Sequence, residues 1–539
     1  MKNRRRGVAL AFVLFGLVIL STLGLGMLIV LLSSEKGSYA YQNNTNTLNN
    51  AMAGIGRAVV ELEKNTAWAG DTENNGAIAF TVTVNSTSTL PSGLVEWYVT
   101  SKGSSGGATR TISALLAQQS FASYGYLSNN ENLPSEPNQE WWITGNVVEG
   151  NSATNGFFLY YGNPAFSAKV TSANGCNGAS NCGSDPAYND PHYVAAQKKY
   201  TQSGVPDPYN NKYFYNYFSG YGTDYPVAYN SSTAFAFDGG QPYIPWPSIN
   251  VSSMQAHANA TYTGDVKLVL NNNGTVTVTT GGSISGGSGT AMTYTGGSSG
   301  SFTIPATGGT LFIEDGNVLV QGTLKGRLSI VTGPSSTPPN RCTTLPSIDG
   351  APPACGNIDV ENNILYHDKT QGSSSYTGGD GLGLVATGDV SLDPYSVPAN
   401  VEVDGSMMAI PLSYNYSCNG GHSCTSTIHT GVGVQGYAYS CQNIKDNTSG
   451  TDDQGSGCTN NFCYTGSCPP AEGNYTLFGA MLPELGGDPV GIFNSGNGQI
   501  ISGYNQIFYY DTNLANNPPP NFPVTGVIQV VQWIDSNAL

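Results

Sequence analysis

The sequence predicts a mainly β protein with one long N-terminal α-helix, in which a helix and an antiparallel sheet form a head that carries a large β-solenoid-like insertion. Three observations support this fold class. An apolar run, Val8 to Leu32, continues into an amphipathic segment. Only 10% of the residues are charged, and short alternating runs separated by Gly and Asn fill most of the chain, as is typical of strands and turns. A last alternating run, Val524 to Ile534, follows three consecutive prolines.

The apolar run is long enough to cross a bilayer as a helix. No residue from Gly7 to Ser34 is charged, and a span needs about 20 apolar residues. Four cations precede the run, and only Lys36, beside Glu35, closely follows it. The positive-inside rule therefore predicts a cytoplasmic N-terminus and a periplasmic or extracellular remainder. A secretory signal peptide cleaved near Ser38-Tyr39-Ala40 is the alternative.

The helix is predicted to continue beyond the membrane. Apolar residues recur there at spacings of four, three, four and three, which defines one face of a helix. Residues 8–64 would then form a rod of about 85 Å. The residues predicted to pack along this face are Leu48, Met52, Ile55, Val59 and Leu62.

The first twelve residues resemble a type IV prepilin signal. Arg4-Arg5-Arg6-Gly7 followed by Val8-Ala9-Leu10-Ala11-Phe12 is similar to the N-terminus of PilX-like minor pilins. The resemblance implies cleavage after Gly7, an N-methylated Val8 as the first mature residue, and packing against other pilins through the helix. In major pilins the fifth mature residue is a glutamate that pairs with a neighbouring subunit's amine. Here it is Phe12, a departure tolerated in tip-located minor pilins and pseudopilins. A plain single-pass anchor is the alternative.

Three alternating runs after the helix predict an antiparallel meander. They are Ala77 to Val84, Leu94 to Thr100 and Ala108 to Leu116, and clusters of turn residues separate them. A helix followed by a meander is the head that the pilin resemblance implies. We expect the terminal run, Val524 to Ile534, to pair with this meander, because an isolated last strand needs an earlier partner.

The middle of the chain predicts stacked coils. Val318-Leu319-Val320-Gln321-Gly322 and Val401-Glu402-Val403-Asp404-Gly405 place Val at alternate positions before a Gly bend, a pattern that favours a β-solenoid. This part also resembles large PilX-like proteins, including ComZ-type competence pilins of thermophiles, in which such a domain is inserted within a pilin head. A β-sandwich or several small β-domains is the alternative.

The predicted organisation has six parts. They are a prepilin leader (1–7), a transmembrane helix (8–34), its amphipathic continuation (35–66), a β-meander (67–119), a β-solenoid-like domain with long disulfide-containing loops (120–511), and a proline-rich return with a terminal strand (512–539).

Cysteine usage indicates an oxidising compartment. All ten cysteines follow the membrane segment, and their number is even. Zinc sites prefer closer spacings, so we expect neither a metal nor another cofactor. Short spacings favour three disulfides and leave the connectivity of the last four cysteines open: Cys176 with Cys182, Cys342 with Cys355, Cys418 with Cys424, then Cys441, Cys458, Cys463 and Cys468.

Three pairs of acids are candidate catalytic groups. The three pairs lie at even spacings on predicted strands, so each pair is expected to point outward together, and residues two apart on a strand are about 7 Å apart. That distance suits an inverting acid and base, but any solvated strand face has the same spacing. Because no catalytic motif accompanies them, we expect no enzyme; a membrane-stalked glycan-active enzyme is an alternative. The pairs are Asp359 with Glu361, Asp389 with Asp393, and Glu402 with Asp404.

The charge balance disfavours DNA as a partner. The net charge is −16, and without the four cations before the apolar run the rest carries −20, which repels nucleic acid. Candidate DNA contacts are Lys198, Lys199, Lys325 and Arg327. The sequence thus favours a non-catalytic minor pilin at a pilus tip, presenting its β-domain to a surface ligand such as a glycan or acting in pilus assembly. A competence pilin for DNA uptake is the alternative.

Overall fold

The structure is a computed structural model. It describes residues 4–76, 78–90, 92–129, 142–156, 158–161, 163–173, 201–202, 205–206, 214–216, 227–232, 236–239, 241–244, 246, 251–286, 291–334, 356–410, 412–417, 423–428, 432–434, 471–484, 491–493 and 500–535. Within these residues the α-helices are α1, Arg4–Lys64, and α2, Val251–Ala256.

The described strands are numbered along the chain. They are β1 Gly70–Asn74, β2 Ala79–Thr89, β3 Val95–Ser105, β4 Ala108–Ser120, β5 Tyr126–Ser128, β6 Trp142–Ile143, β7 Val147–Val148, β8 Ser152–Thr154, β9 Phe158–Tyr161, β10 Ala165–Phe166, β11 Lys169–Ser172, β12 Thr201–Gln202, β13 Val205–Pro206, β14 Phe214–Asn216, β15 Val227–Ala228, β16 Ala236–Gly239, β17 Ala260–Thr263, β18 Val266–Asn271, β19 Thr275–Ser285, β20 Thr293–Thr303, β21 Gly309–Glu314, β22 Val318–Leu324, β23 Arg327–Gly333, β24 Ile358–Tyr366, β25 Gly381–Ala386, β26 Val390–Leu392, β27 Val401–Ala409, β28 Leu412–Ser417, β29 Ser423–Ile428, β30 Val432–Val434, β31 Ala471–Leu482, β32 Gly491–Phe493, β33 Ile500–Tyr509 and β34 Val524–Asp535.

The chain divides into two compact units. The first comprises residues 1–89, 95–118 and 528–539, and the second comprises residues 90–94 and 119–527. The second unit is therefore inserted in the chain of the first. Together with the strand content, this confirms the predicted fold class, a mainly β protein with one long N-terminal helix and a large β-rich insertion.

The first unit is built from α1 and an antiparallel sheet. The sheet order is β1-β2-β3-β4-β34, so the terminal strand pairs with the meander, the partner predicted for it. Alternate residues of β2, Phe80 and Val82, are buried against α1 together with Trp97 of β3. Strand β1 was not predicted.

The buried face of α1 differs from the predicted one at Met52. Ile55 and Leu62 are fully buried as expected, but the side chain of Met52 is 47% exposed, and Ala51 and Ala58 lie in the core instead. Small residues are needed because the helix and sheet approach closely. A Cβ atom on Gly103 of β3 would lie 2.2 Å from the carbonyl oxygen of Thr47.

The second unit is dominated by three columns of parallel strands. One column has the order β17-β21-β23-β25-β27-β31-β5-β8-β11-β16. The second has the order β18-β22-β24-β26-β30. The third has the order β22-β24-β27-β31-β33-β7-β10-β15. We call these columns together the parallel stack.

The order of the parallel stack differs from the order of the chain. The chain enters near the middle of the first column at β5 and proceeds to one end at β16. After α2 it starts again at the opposite end, β17, and returns to β31, which pairs with β5. The first run of parallel strands thus starts at β5 and grows away from it, and the second run ends at β31, beside the start of the first.

Apolar side chains fill the interior of the parallel stack and also cover one outer face. The interior includes Val320, Val360 and Val403. A second cluster lies outside the first column, where Phe312, Val331 and Met408 are buried by side chains that include those of Leu514 and Phe522. Residues 510–523, the segment between β33 and β34, therefore cover one face of the parallel stack. We call them the return segment.

Candidate functional site

The N-terminal half of α1 is a continuous apolar surface. Helical residues Leu10–Lys64 have the length and composition of a membrane-spanning helix, and within them the large apolar side chains from Leu10 to Leu32 are exposed. This fits a membrane anchor or a signal segment. The side chain of Phe12 is 73% exposed. Gly7 and Val8 lie in the helix, but the structure does not describe their side-chain environment.

The paired acids lie inside the second unit and not on a solvated strand face. Five of the six are buried, with exposed fractions of 8% or less, and Asp389 is half-buried. Asp359 with Glu361 and Glu402 with Asp404 lie within strands β24 and β27, whereas Asp389 and Asp393 flank β26. Residues 367–380 cover Glu402 and Asp404, and the β19–β20 hairpin and residues 393–397 approach Asp359 and Asp393.

The first buried cluster joins Lys369 to Glu402 and Asp404. The Lys369 ammonium lies 3.1 Å from Asp404 Oδ1 and is also paired with Glu402 Oε1. The backbone N–H of Tyr366 donates to Asp404 Oδ2 at 2.8 Å, and that of Gly372 donates to Glu402 Oε2 at 2.6 Å. The exposed fractions of the Lys369, Glu402 and Asp404 side chains are 0%, 3% and 0%. The cluster is therefore a desolvated group of three ionisable side chains.

The electrostatics of this cluster favour a neutral Asp404. Burial, the largest cause, raises the pKa of the Asp404 carboxyl to about 7, although Lys369 and the Tyr366 N–H act in the opposite direction. The aromatic ring of Phe478 lies 4.6 Å from Lys369 Nζ. Asp404 and Phe478 are register partners on β27 and β31, so their side chains share one face.

The second buried cluster contains Asp359, Glu361 and Asp393. Asp359 accepts a hydrogen bond from Ser391 Oγ, and its Oδ2 has no hydrogen-bond partner among the described residues. Lys267 Nζ lies 2.7 Å from Glu361 Oε2, while Asp393 Oδ2 accepts the backbone N–H of Met292 at 2.8 Å. Burial, first, and then the nearby Asp393 and Glu361 raise the pKa of Asp359 to about 7, against the lowering effect of Ser391.

The described residues contain no group of three or more His, Cys, Asp or Glu side chains suited to a metal ion. A cavity of about 190 Å³ lies beside the return segment and is lined in part by Asp380, Asp511 and Asn513. Asp380 is fully engaged, since it accepts hydrogen bonds from Gly326 N, His367 N and Tyr376 Oη.

Two of the four predicted DNA contacts lie among the described residues. Lys198 and Lys199 lie outside the described residues. Lys325 is exposed in the turn before β23, whereas Arg327 is the first residue of that strand. The Arg327 guanidinium donates to the carbonyl oxygens of Asn517, at 3.1 Å, and Pro518. Arg327 therefore holds the return segment against the parallel stack.

The candidate disulfides fall outside the described residues, except for Cys424, whose backbone lies in β29. Lys369 was missed by reasoning from the sequence. It lies in a Gly- and Ser-rich segment and follows His367-Asp368, which is typical of an exposed loop. No local pattern distinguishes it from a solvated lysine.

Comparisons with known proteins find a family model and a solved structure that are similar to this chain. A family model described as a domain of unknown function, DUF4900, matches residues 93–182. Among solved structures, the crystal structure of the competence-associated pilin ComZ from Thermus thermophilus is similar at 14% identity and a TM-score of 0.27, covering 91% of this chain and 96% of that chain. No curated protein matches this chain.

Proposed function

We propose that this chain is a non-catalytic minor pilin of a type IV pilus, which is inserted in the inner membrane through α1, packs against other pilins through the same helix, and presents the parallel stack for surface attachment at the pilus tip. The observation that carries the proposal is the two-part character of α1. Its first half exposes a continuous apolar surface, and its second half packs on the antiparallel sheet of the first unit. A helix of this kind can leave a bilayer and pack among other helices while the antiparallel sheet of the first unit stays folded.

The tip location is supported by Phe12. If the chain is cleaved after Gly7, as the prepilin resemblance implies, Phe12 occupies the fifth mature position. An exposed phenylalanine cannot neutralise the amine of a neighbouring subunit, so continuous incorporation along a filament would leave an unpaired charge among apolar helices. A subunit at the end of the filament makes fewer such contacts.

The non-catalytic character is supported by the positions of the acids. Glu402 and Asp404 are held by Lys369 and by backbone N–H groups, and their side chains are at most 3% exposed. A glycan-cleaving pair must contact both the glycosidic oxygen and a water or the sugar carbon. These two carboxyl groups are covered by other parts of the protein, which favours an architectural role for them.

Mass spectrometry of the mature N-terminus tests the proposal. We expect a chain that begins at N-methylated Val8. Gly7→Leu should abolish this processing, whereas Gly16→Leu, at a helix position where a Cβ atom meets nothing within 4 Å, should preserve it. An intact Met1, or a start at Tyr41, would overturn the assignment as a pilin.

Immunogold labelling of purified filaments tests the location separately. We expect gold particles at filament ends. Regular labelling along the filament would contradict the tip location and leave pilin processing untouched.

A further inference from the structure

Lys369, Glu402 and Asp404 form an arrangement suited to covalent chemistry between side chains, independently of the proposed pilus role. The Lys369 amine is in contact with both carboxyl groups, at 3.1 Å from Asp404 Oδ1. The three side chains are 97% or more covered. An amine and a carboxyl group that are held together without water have the proximity needed for amide formation.

Aromatic rings cover the cluster. Phe478 lies 4.6 Å from Lys369 Nζ. The rings of Tyr366 and Tyr376 lie 5.1 Å apart, and each is 6.2 Å from the Phe478 ring. Removal of water favours neutral forms of buried groups over charged ones, and for Asp404 the raised pKa agrees with this. A neutral carboxylic acid is the form that an amine can attack at its carboxyl carbon.

We propose that Lys369 and Asp404 become joined by an intramolecular isopeptide bond, with Glu402 as the group that transfers protons. The bond would connect the segment after β24 to β27 and close a covalent loop from residue 369 to residue 404.

The reaction balances within the cluster. The Glu402 carboxylate takes one proton from the Lys369 ammonium, and the freed lone pair of Nζ attacks Cγ of the protonated Asp404. The Tyr366 N–H, 2.8 Å from Asp404 Oδ2, stabilises the negative charge that develops on that oxygen. Glu402 then passes its proton to Oδ1 and takes another from Nζ as the Cγ–Oδ1 bond breaks.

The products are the amide, one water molecule and a protonated Glu402, and no oxidant or further reactant is needed. The Gly372 N–H, 2.6 Å from Glu402 Oε2, holds the proton carrier in place throughout. Formation of the amide also removes the buried ion pair of Lys369 with Glu402, because the amide and the protonated Glu402 are both neutral. Desolvation therefore favours the product over the starting ions.

Trypsin digestion of the full-length chain, reduced and alkylated after purification in detergent, tests this proposal directly. The cleavage sites in this region are Arg341, Lys369 and Lys445. A free Lys369 gives two peptides, 342–369 and 370–445. An acylated Lys369 resists trypsin, so we expect one peptide, 342–445, lighter than its sequence by one water. Chymotrypsin should then give a branched peptide whose fragmentation identifies the linked residues.

Variants separate chemistry from folding. Lys369→Arg keeps the cation and should restore cleavage after residue 369 with no loss of water. Glu402→Gln removes the proton carrier and should leave Lys369 free. Lys267→Arg is the matched control, because Lys267 is also paired with a strand carboxylate, Glu361, and this change should leave the 342–445 link intact.

Complete cleavage after Lys369 in the natural chain would overturn the proposal, whatever the variants do. A branched peptide linked through Glu402 in place of Asp404 would overturn the assignment of roles. The natural chain decides both points, so the test does not depend on the folding of any variant.

Discussion

Replacing Asp359 by asparagine should stabilise the parallel stack near neutral pH and have little effect in acid. Asp359 is 1% exposed, and among the described residues only Ser391 is seen to donate a hydrogen bond to its carboxyl group. Burial and the neighbouring Asp393 and Glu361 raise its pKa from 3.8 to about 7. Lys267, the nearest cation in the cluster, is paired with Glu361 and leaves Asp359 without a counter-charge.

The sign and size of this change in stability follow from the linkage between proton binding and folding. The unfolded chain loses the Asp359 proton near pH 4 and the folded chain loses it only near pH 7, so between these values the folded state binds more protons. Stability therefore falls as the pH rises through this window and is constant above it. At about 1.4 kcal/mol per pH unit, the natural chain loses about 4 kcal/mol, and the asparagine variant should not lose this contribution.

Hydrogen–deuterium exchange of full-length protein in detergent measures the effect locally. Peptides that cover β24 should exchange at similar rates in both chains at pH 4.5, and more slowly in Asp359→Asn at pH 8. Because the two chains are compared at the same pH, the pH dependence of intrinsic amide exchange does not affect the comparison. Asp368→Asn is the control, because the Asp368 side chain is 71% exposed. An Asp359→Asn effect of equal size at both pH values would refute the reasoning.

Two further predictions concern the packing of each unit. Gly103→Ala should destabilise the first unit by about 1–3 kcal/mol, because its Cβ would meet the Thr47 carbonyl oxygen. Gly56→Ala is the control and should not destabilise the unit, since a Cβ there meets nothing within 4 Å. Thermal unfolding followed by circular dichroism compares the two variants. Arg327→Lys should weaken the hold on the return segment by about 1–2 kcal/mol, because the lysine side chain is one bond shorter than the path to Arg327 Nη2, the nitrogen that donates to both carbonyl oxygens. Faster hydrogen exchange over residues 510–523 would show this, and the exposed Lys325→Ala should have no effect; unchanged exchange in Arg327→Lys would contradict the role given to Arg327.

The helix and the meander could be predicted because their signals are local. The apolar run and the spacing of Ile55 and Leu62 define α1, and alternation defines β2, β3 and β4. Strand β1 has the sequence Gly-Asp-Thr-Glu-Asn and exposes four of its five residues, so it has no apolar alternation to detect. Met52 was misassigned because the spacing pattern favours large residues, whereas the close approach of the sheet at Gly103 requires alanines on that face.

The buried clusters could not be predicted because burial of an outer strand face depends on distant segments. The spacing of Glu402 and Asp404 correctly indicates that they share a face. It carries no information about residues 367–380, which cover that face and supply Lys369. Part of the cover over the second cluster comes from Met292. Its backbone N–H donates to Asp393, which lies 101 residues further along the chain. The residue type likewise favoured solvent-exposed positions for these acids, since charged residues are seldom fully buried unless they are paired.

The unusual order of the parallel stack explains how so large an insertion leaves the sheet of the first unit intact. A stack that grew in one direction would begin at one end and finish at the other, and its two chain ends would lie far apart. Here the chain enters at β5 and its last turn, β31 and β33, pairs with β5 and β7. Entry and exit are therefore neighbours: the Phe121 N–H donates to the Pro523 carbonyl oxygen at 3.1 Å, where β4 ends and β34 begins. Because β4 and β34 are adjacent strands of one sheet, the insertion takes the place of a hairpin loop, and turns could be added at either end of the stack without moving these two strands.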